Sequence, residues 1–321
     1  MIDVKIDYEY YLSNFLEENN INGGLRLGYQ TMVKRISLFE KPIIEWNNYD
    51  LDVLLKQTGS ISVNSITKYI QMFRTFYVHV CKKEGIEKPR PIFATHSEKY
   101  YIDYNKLMSV TINTMQYKAL KEMFSYYESG KTYNTRDKLI FELYWEGFTA
   151  DEIRKIKKSD IEFSERLGYK YVEIKLGNRI KIIDNIEVIE DIKLTMNEFD
   201  YLLLGREGRK DSVRKLKDSK YLIRPIQTNN SKVDYISNPS AIIKRYLSRL
   251  NISFEGKDLE AMAPEDIKRS RVIEMLKNPA VDKEDVKEFL GKKAMGDLYW
   301  IEDFAQIMKH KEDAEKAKRD K

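Results

Sequence analysis

Two clusters of basic residues are the part of this sequence whose side chains best suit a chemical task, the binding of phosphate. Residues 154–158 read RKIKK, and residues 205–220 contain seven basic and three acidic residues. Lysine and arginine neutralise phosphate oxygens, and their clustering concentrates positive charge on one surface. Such runs are equally typical of a solvated helix face or a loop. Both interpretations therefore stand for these two segments taken alone.

The chain as a whole is only mildly basic. Its 321 residues contain 56 Lys and Arg against 51 Asp and Glu, which gives a formal net charge of +5. A polyanionic partner would therefore be bound by local clusters rather than by overall charge. The length predicts about two domains. The hydrophobic share of 42% suffices for ordinary globular cores and excludes a disordered chain.

Other kinds of chemistry have little support. The single cysteine, Cys81, excludes a disulfide framework, and we expect it to be a buried small apolar residue. With only His79, His96 and His310 as histidines, we expect no metal site. Neither glycine-rich nucleotide-binding motif is present, so we expect no cofactor. The chain has no long apolar run and no leader-like start, which predicts a cytoplasmic protein that contacts no membrane.

The elements that would position the basic residues are mostly helices. In residues 1–90, apolar residues recur at three- and four-residue spacing, which predicts about four short helices. The sequence at 88–91, Lys-Pro-Arg-Pro, then disfavours helix and favours an extended connector. We predict the following domains: a helical domain at 1–90, a linker at 91–105, a second domain at 106–308 and a charged tail at 309–321.

The second domain combines helices with a hairpin. Helical spacing recurs at 115–127 and 136–145, and the chain is again mostly helical from about residue 187. Between these parts, residues 169–176 and 179–182 alternate polar and apolar side chains on either side of Gly-Asn, a dipeptide typical of a two-residue hairpin turn. The sequence therefore predicts a mainly α fold with a small antiparallel β hairpin or sheet.

This order of elements resembles the tyrosine recombinase (phage integrase) family, in which a core-binding domain precedes a catalytic domain. The resemblance spans nearly the whole chain. It rests on the helix at 135–148, Glu152-Ile153, residues 159–161, the hairpin that carries Lys175, residues 264–268, residues 288–292 and Tyr299. The helix at 135–148 looks like the one that leads into the first arginine motif, and the hairpin looks like the catalytic-lysine hairpin. Residues 264–268 lie where the family has its His-x-x-Arg helix, and residues 288–292 are similar to its Leu-Gly-His box. Tyr299 lies about where the nucleophilic tyrosine belongs. The resemblance implies a two-domain clamp around double-stranded DNA.

The chain departs from the family at the positions that carry its chemistry. In the family, a tyrosine attacks a DNA phosphate while two arginines neutralise the oxygens and His and Lys move protons. Thr149 stands at the first arginine position and has no charge; Glu265 stands at the first histidine position and would repel a phosphate. Lys268, at the second arginine position, lacks the planar fork of an arginine. The vestigial family positions are Thr149, Lys175, Glu265, Lys268, Lys292 and Tyr299.

We therefore expect strand cleavage to be lost. A missing oxyanion-stabilising donor costs about 2.7–4 kcal/mol, and several groups are altered here. Arg154 and Arg271 are the neighbours that could replace a lost arginine. Tyr299 is one of 22 tyrosines, so packing beside Trp300 and Phe304 is as good an interpretation as a nucleophile.

The resemblance then predicts sequence-specific binding of duplex DNA without cutting, by a transcriptional repressor of a phage or prophage. A divergent but active recombinase that uses Tyr299, and an architectural or partition factor, are the alternatives. The candidate DNA-contacting residues are Lys34, Arg35, Lys68, Arg74, Arg154, Lys155, Lys175, Arg179, Lys181, Lys244, Arg245, Lys268, Arg269 and Lys292. An antirepressor protein or a peptide-regulated partner is a further expected partner. The apolar stretch at 298–308 would either mediate self-association or cover the chain's own core.

Overall fold

A computed structural model describes residues 6–177, 179–205, 210–228, 233–250, 254, 256–291 and 298–319. The chain divides into two compact units, Met1–Leu107 and Met108–Lys321. Within the described ranges, no helix combines the length and the apolar character needed to cross a membrane.

The first unit is a helical bundle, as its apolar spacing predicts. Its helices are α1 (Tyr8–Glu18), α2 (Gly23–Ile36), α3 (Asn48–Lys56) and α4 (Val63–Lys83), with a short 3-10 turn at Ile43–Glu45. Helix α4 buries Ile66, Phe73 and Tyr77 against the other helices, and the Phe73 ring stacks on Trp46. The helix is capped by Ser62, whose hydroxyl accepts a hydrogen bond from the Ser65 N–H at 3.2 Å.

The segment predicted as a linker, 91–105, packs largely with the first unit. Ile92 and Tyr101 are buried in the core of that unit, and Glu98–Tyr101 forms a 3-10 turn. The Tyr77 hydroxyl donates to the carbonyl of Arg90 at 3.0 Å. The prolines keep this segment out of a helix, while its apolar side chains hold it to the bundle.

In its described ranges, the second unit is mainly helical with three small antiparallel sheets, which confirms the predicted fold class. Its helices are α6 (Thr114–Lys121), α7 (Thr135–Trp145), α8 (Ala150–Lys155), α9 (Ile186–Asn197), α10 (Pro239–Leu247), α11 (Pro264–Leu276), α12 (Lys283–Leu290) and α13 (Leu298–Arg319), and the short α5 (Tyr104–Ser109) precedes them. Its strands are β1 (Tyr126–Glu128), β2 (Lys131–Tyr133), β3 (Ile161–Arg166), β4 (Tyr169–Leu176), β5 (Arg179–Ile183), β6 (Asp200–Leu203) and β7 (Ser212–Lys215). A 3-10 turn, Lys158–Asp160, precedes β3.

Helix α7 is the centre of this unit. Ten of its eleven residues are buried, and α9, α10 and α11 pack around it. Helix α10 runs antiparallel to it. The hydroxyls of Tyr144 and Ser240 lie 2.8 Å apart at the C-terminal end of α7, and the Asn134 side-chain amide donates to the Tyr246 hydroxyl at 3.3 Å at the N-terminal end.

The predicted hairpin is present as β4 and β5, and β3 adds a third strand in the order β3-β4-β5. Lys175 pairs with Ile180, and Ile174 pairs with Lys181. Because side chains alternate along a strand, Lys175 and Lys181 lie on opposite faces of this sheet. Position 178, in the predicted turn, lies outside the described residues.

The prediction of a helix over 115–127 is wrong in its second half. The helix ends at Lys121, and Tyr126–Glu128 pairs with Lys131–Tyr133 as a hairpin. Ser129 and Gly130 between these strands both have positive φ, 50° and 78°. Two such residues are the requirement of a tight hairpin turn, which a helical apolar spacing does not reveal.

The C-terminal helix covers the chain's own core. Trp300, Ile301 and Phe304 are buried, and α13 packs against α11. The Lys277 ammonium pairs with Glu312 at 2.7 Å. The predicted tail is helical as far as Arg319.

Candidate functional site

The turn between α7 and α8 places Thr149 at the start of α8. The Thr149 hydroxyl oxygen accepts the Glu152 N–H at 3.3 Å, and the Glu152 carboxylate accepts the Thr149 N–H at 2.8 Å. This reciprocal arrangement is a capping box, which satisfies two free N–H groups of the helix. The side chain at the predicted first arginine position is therefore used to begin a helix and supplies no charge.

Arg179, at the start of β5, pairs with the same carboxylate. Its guanidinium bonds to Glu152 and covers Gly291, the C-cap residue of α12. Arg179 is thus a planar cation close to Thr149, but a carboxylate of the same chain already occupies it.

Lys181 is buried beneath this pair, with 7% of its surface exposed. Its ammonium donates to the Phe289 carbonyl at 2.5 Å and lies 4.0 Å and 5.3 Å from the ring centroids of Phe289 and Phe148. Burial lowers the pKa of Lys181 to about 8, and the Glu146 carboxylate acts in the opposite direction. The side chain is therefore still mostly cationic at neutral pH.

The helix α11 residues at the predicted histidine and second arginine positions pair with each other. The Lys268 ammonium lies 2.5 Å from a Glu265 oxygen, and Arg269 pairs with Asp266 at the same distance. Arg271, a candidate replacement for a lost arginine, lies over the Trp145 ring at 5.7 Å. Its positive charge opposes the increase that burial causes in the pKa of Glu146.

Three predicted residues therefore gather near Thr149, namely Arg179, Lys181 and Lys268. Arg179 and Lys181 line a cleft of about 530 Å³ between β5 and α12. The positive charge of Lys268 helps to depress the pKa of Lys181. The arrangement can attract a phosphate group. However, the cations that would contact the phosphate, Arg179 and Lys268, are already bonded to Glu152 and Glu265.

The sequence did not indicate that Phe289 contacts Lys181 in this site. Its carbonyl and ring hold Lys181, which is 108 residues away in the chain. Residues 288–292 were predicted to correspond to the Leu-Gly-His box. That prediction included Phe289 but gave no sign of its contact with Lys181.

The remaining candidates of the second unit make other contacts, and two of them, Lys155 and Lys175, line a cleft together with Glu152. Arg154 and Lys155 both pair with Asp151 on α8, so the Arg154 guanidinium, like that of Arg179, is bonded to a carboxylate of the same chain. Lys175, on the other face of the sheet, lies 3.7 Å from Glu162. Lys244 is exposed on α10. Arg245 lines a different cleft, described below.

The candidates of the first unit lie on α2 and α4. Lys34, Lys68 and Arg74 are exposed, and Arg74 lies 5.2 Å from the Phe93 ring centroid. Arg35 donates to the Thr58 carbonyl at 3.3 Å and lies over the Tyr69 ring.

Two candidates cannot be placed. Lys292 lies outside the described residues, and so does the side chain of Tyr299, although the backbone of Tyr299 is part of α13. Among the residues whose positions are described, no group of three or more His, Cys, Asp and Glu side chains could hold a metal ion.

The sequence relationship agrees with this geometry. Residues 114–297, more than half of the chain, match the family described as MrpR, C-terminal catalytic domain. The chain belongs to this family. The match begins at the first residue of α6 and includes α7, α8, the three-stranded sheet and α11. Every described residue of the cluster near Thr149 therefore lies within the MrpR catalytic domain.

Solved structures give the fold of the whole chain. XerH site-specific recombinase bound to a palindromic difH substrate is similar with a TM-score of 0.50 and 14% identity, over 99% of this chain and 90% of that one. The Tn1549 transposon integrase with transposon right end DNA gives 0.49 and 12%, over 97% and 98%. A λ integrase dimer bound to a core site gives 0.47 and 13%, over 92% and 94%. No curated protein matches the sequence. The chain has a tyrosine recombinase fold.

Proposed function

We propose that this protein binds double-stranded DNA at specific sequences without cutting it, and that it represses transcription of a phage or prophage. Its structural relatives include recombinases solved with DNA, and this supports the choice of ligand. As part of this proposal, we infer that the chain is similar to the repressors that maintain lysogeny in SPβ-like Bacillus prophages. The protein would act in the bacterial cytoplasm.

The observation that carries the loss of cleavage is the bonding of Thr149. Phosphoryl transfer needs fixed positive charge aimed at the oxygens that become more negative in the transition state. At the first arginine position, the Thr149 hydroxyl instead caps α8. Arg179, a planar cation that bonds to the residue capping α8 with Thr149, is itself held by that carboxylate of Glu152.

The second cationic position supports the same conclusion. Lys268 is paired with Glu265, and a carboxylate at that place opposes the approach of a phosphate. Removing one preorganised donor costs about 2.7–4 kcal/mol, so two altered positions leave too little stabilisation for useful cleavage even when their effects are not additive.

DNA binding requires a less precise placement of cations than catalysis does. Phosphate contacts require cations near the backbone of the duplex, without precise alignment on one phosphorus atom. Lys34, Lys68 and Lys244 are exposed and form no ion pair within the described part of the chain. They are the candidates with the most freedom to contact phosphates.

Two kinds of partner complete the proposal. A repressor has to release its operator on induction, so an antirepressor protein or a peptide-regulated partner would bind the chain. Self-association through α13 would have to displace the contacts that bury Trp300 and Phe304, or use the exposed side of that helix, which carries Ile307.

The test incubates the full chain with end-labelled fragments of the genome that encodes it. The products are resolved natively, and again after denaturation and protease treatment. We expect shifted bands that return to intact, protein-free DNA, and the same bands with a Tyr299→Phe variant. A covalent adduct or a nicked strand that disappears with Tyr299→Phe would instead identify an active recombinase.

A second step separates a repressor from an architectural or partition factor. Once a bound site is mapped, single base-pair substitutions in it should each cost about 1–3 kcal/mol of binding free energy. Substitutions that leave the affinity unchanged would contradict specific recognition.

A further inference from the structure

A second positively charged cleft lies at the end of α7 opposite to Thr149. Its volume is about 620 Å³, and the basic residues that line it are Lys210, Arg214, Arg245 and Arg249. They come from three parts of the chain: the residues before β7, strand β7 itself, and helix α10 with the turn after it.

The antiparallel packing of α7 and α10 fixes the position of this cleft. Ser240 lies beside Tyr144, near Thr149, whereas Tyr246 lies beside Asn134 at the other end. Helix α7 has eleven residues, which separates its ends by roughly 16 Å. The cleft is therefore distinct from the cluster around Thr149.

The charges of the four cations can be compared with the described carboxylates around the cleft. Within the ranges that the structure describes, none of them forms an ion pair. The Asp211 carboxylate accepts the Gly205 N–H at 2.7 Å, Asp200 pairs with Lys131 and Lys215, and Asp137 pairs with Arg136 at 2.7 Å. Four like charges that converge on one concavity create a strong positive potential, which a bound anion would relieve.

The wall of the cleft is held firmly. The Asn134 amide donates to the Leu202 carbonyl, and its oxygen accepts the Leu202 N–H, both at 2.9 Å. The Tyr201 hydroxyl donates to Asp137 at 2.9 Å. Tyr201 and Tyr246, which line the cleft, are both buried. Such a preformed wall lowers the entropic cost of binding a ligand.

We propose that this cleft binds a small anion with two or more phosphate groups, either a nucleoside diphosphate or triphosphate or inorganic pyrophosphate. Four cations match the charge of such a ligand, and guanidinium groups bind phosphate oxygens in pairs. The volume lies within the usual range of small-molecule sites. A concave cleft with Leu203 and two tyrosines in its wall fits a compact ligand better than the convex surface of a duplex.

Isothermal titration calorimetry at low salt tests the proposal, with ATP and inorganic pyrophosphate as separate probes. The variant Arg214→Gln/Arg249→Gln removes two charges from the cleft. The control variant Lys118→Gln/Lys193→Gln removes two charges from α6 and α9, which do not line it. We expect one saturable site in the wild type and in the control, and binding that is roughly 100-fold weaker in the cleft variant.

The probes also distinguish the sources of the phosphates. ATP binding that is tighter than pyrophosphate binding identifies a nucleotide ligand, and equal affinities identify recognition of the phosphates alone. The absence of saturable binding to both probes, or an equal loss in the control variant, overturns the proposal. So does a cleft variant that loses affinity for duplex DNA while neither probe binds, since the cleft would then be part of a DNA interface.

Discussion

Thr149 and Glu152 bond to each other in both directions: each backbone N–H donates to the side chain of the other residue, at 2.8 Å and 3.3 Å. The residue that we predicted at the first arginine position thus has a structural task, which is to cap α8. The carboxylate of Glu152 also holds Arg179, so the start of α8 is joined to strand β5.

Replacement of Thr149 by alanine should lower the stability of the second unit. The substitution removes the acceptor for the Glu152 N–H, and the loss of an N-cap costs about 1 kcal/mol. Urea denaturation should report this decrease, and Thr149→Ser, which keeps the hydroxyl, should remain close to the wild type. Equal stability of the alanine variant and the wild type would contradict the capping assignment.

Replacement of Gly147 by alanine should destabilise the chain more strongly. Gly147 has φ +86°, and an added Cβ would lie 2.8 Å from the Phe289 ring and 3.0 Å from the Lys181 ammonium. Backbone strain of this kind costs on the order of 1–3 kcal/mol, and the steric clash adds to it.

Gly168→Ala is a matched control for Gly147→Ala. Gly168 has a similar φ of +81° and no atom within 4 Å of the added Cβ, so it measures the strain alone. The difference between the two urea midpoints gives the cost of the clash. If both variants lose the same free energy of unfolding, Phe289 and Lys181 do not pack against Gly147 in solution.

The sequence could predict the elements whose signals are local. The alternation of residues 169–176 and 179–182 is sufficient to identify the β4–β5 hairpin, and the spacing of apolar residues in α4 identifies that helix. Strands β6 and β7 were not predicted, because each has only four residues and a run of basic residues at 205–220 is equally typical of a loop.

The sequence indicated candidate residues of the site but not the bonds that they form. Thr149, Glu265 and Lys268 were found because their spacing resembles that of a known family. The pairing of Glu152 with Arg179, and the contact of Lys181 with Phe289, join residues that are 27 and 108 positions apart. Such contacts depend on how the sheet packs against α8 and α12, which no local pattern encodes.

The stability of the chain should depend on the protonation of Lys181. Burial lowers the pKa of this ammonium from 10.5 to about 8 in the folded chain, so the unfolded chain binds more protons between these two values. The free energy of unfolding therefore rises with pH from about 8 to about 10.5. At about 1.4 kcal/mol per pKa unit, this contribution is on the order of 3 kcal/mol.

Urea denaturation across this pH range checks the role of Lys181. Lys181→Met should lack the rise, so its stability relative to the wild type should be greatest near pH 7 and should decrease above pH 8. Lys118→Met, at an exposed position of α6, should follow the wild type. Parallel pH profiles for Lys181→Met and the wild type would contradict the depressed pKa.

The titration of Glu142 should change the free energy of unfolding with pH in the direction opposite to that of Lys181. It is fully buried, and within the described part of the chain neither of its carboxylate oxygens has a hydrogen-bond partner. Burial, together with the neighbouring Asp191 carboxylate, raises its pKa from 4.5 to about 9. The folded chain therefore holds a proton that the unfolded chain releases, and stability falls as the pH rises between these values.

Glu142→Gln should remove this dependence, because glutamine has the shape of the protonated acid and does not titrate. The variant should be more stable than the wild type at pH 7 by on the order of a few kcal/mol, with a smaller difference near pH 4.5. Glu122→Gln, at an exposed acid, is the control. A Glu142→Gln variant that is less stable than the wild type at pH 7 would mean that the carboxylate is ionised and held by Lys121, which lies 3.8 Å away.

Lys244 provides the clearest test of the proposed DNA surface. It is exposed on α10 and pairs with no carboxylate of the described residues, so a phosphate contact would be its main interaction. Lys244→Gln should weaken the binding of a mapped site and should reduce the slope of log K against log salt concentration by about one. Lys193→Gln is the control, because the Lys193 ammonium pairs with Glu190 at 2.8 Å on α9 and is not a candidate contact. A Lys244→Gln variant with the slope of the wild type would remove this part of α10 from the DNA interface.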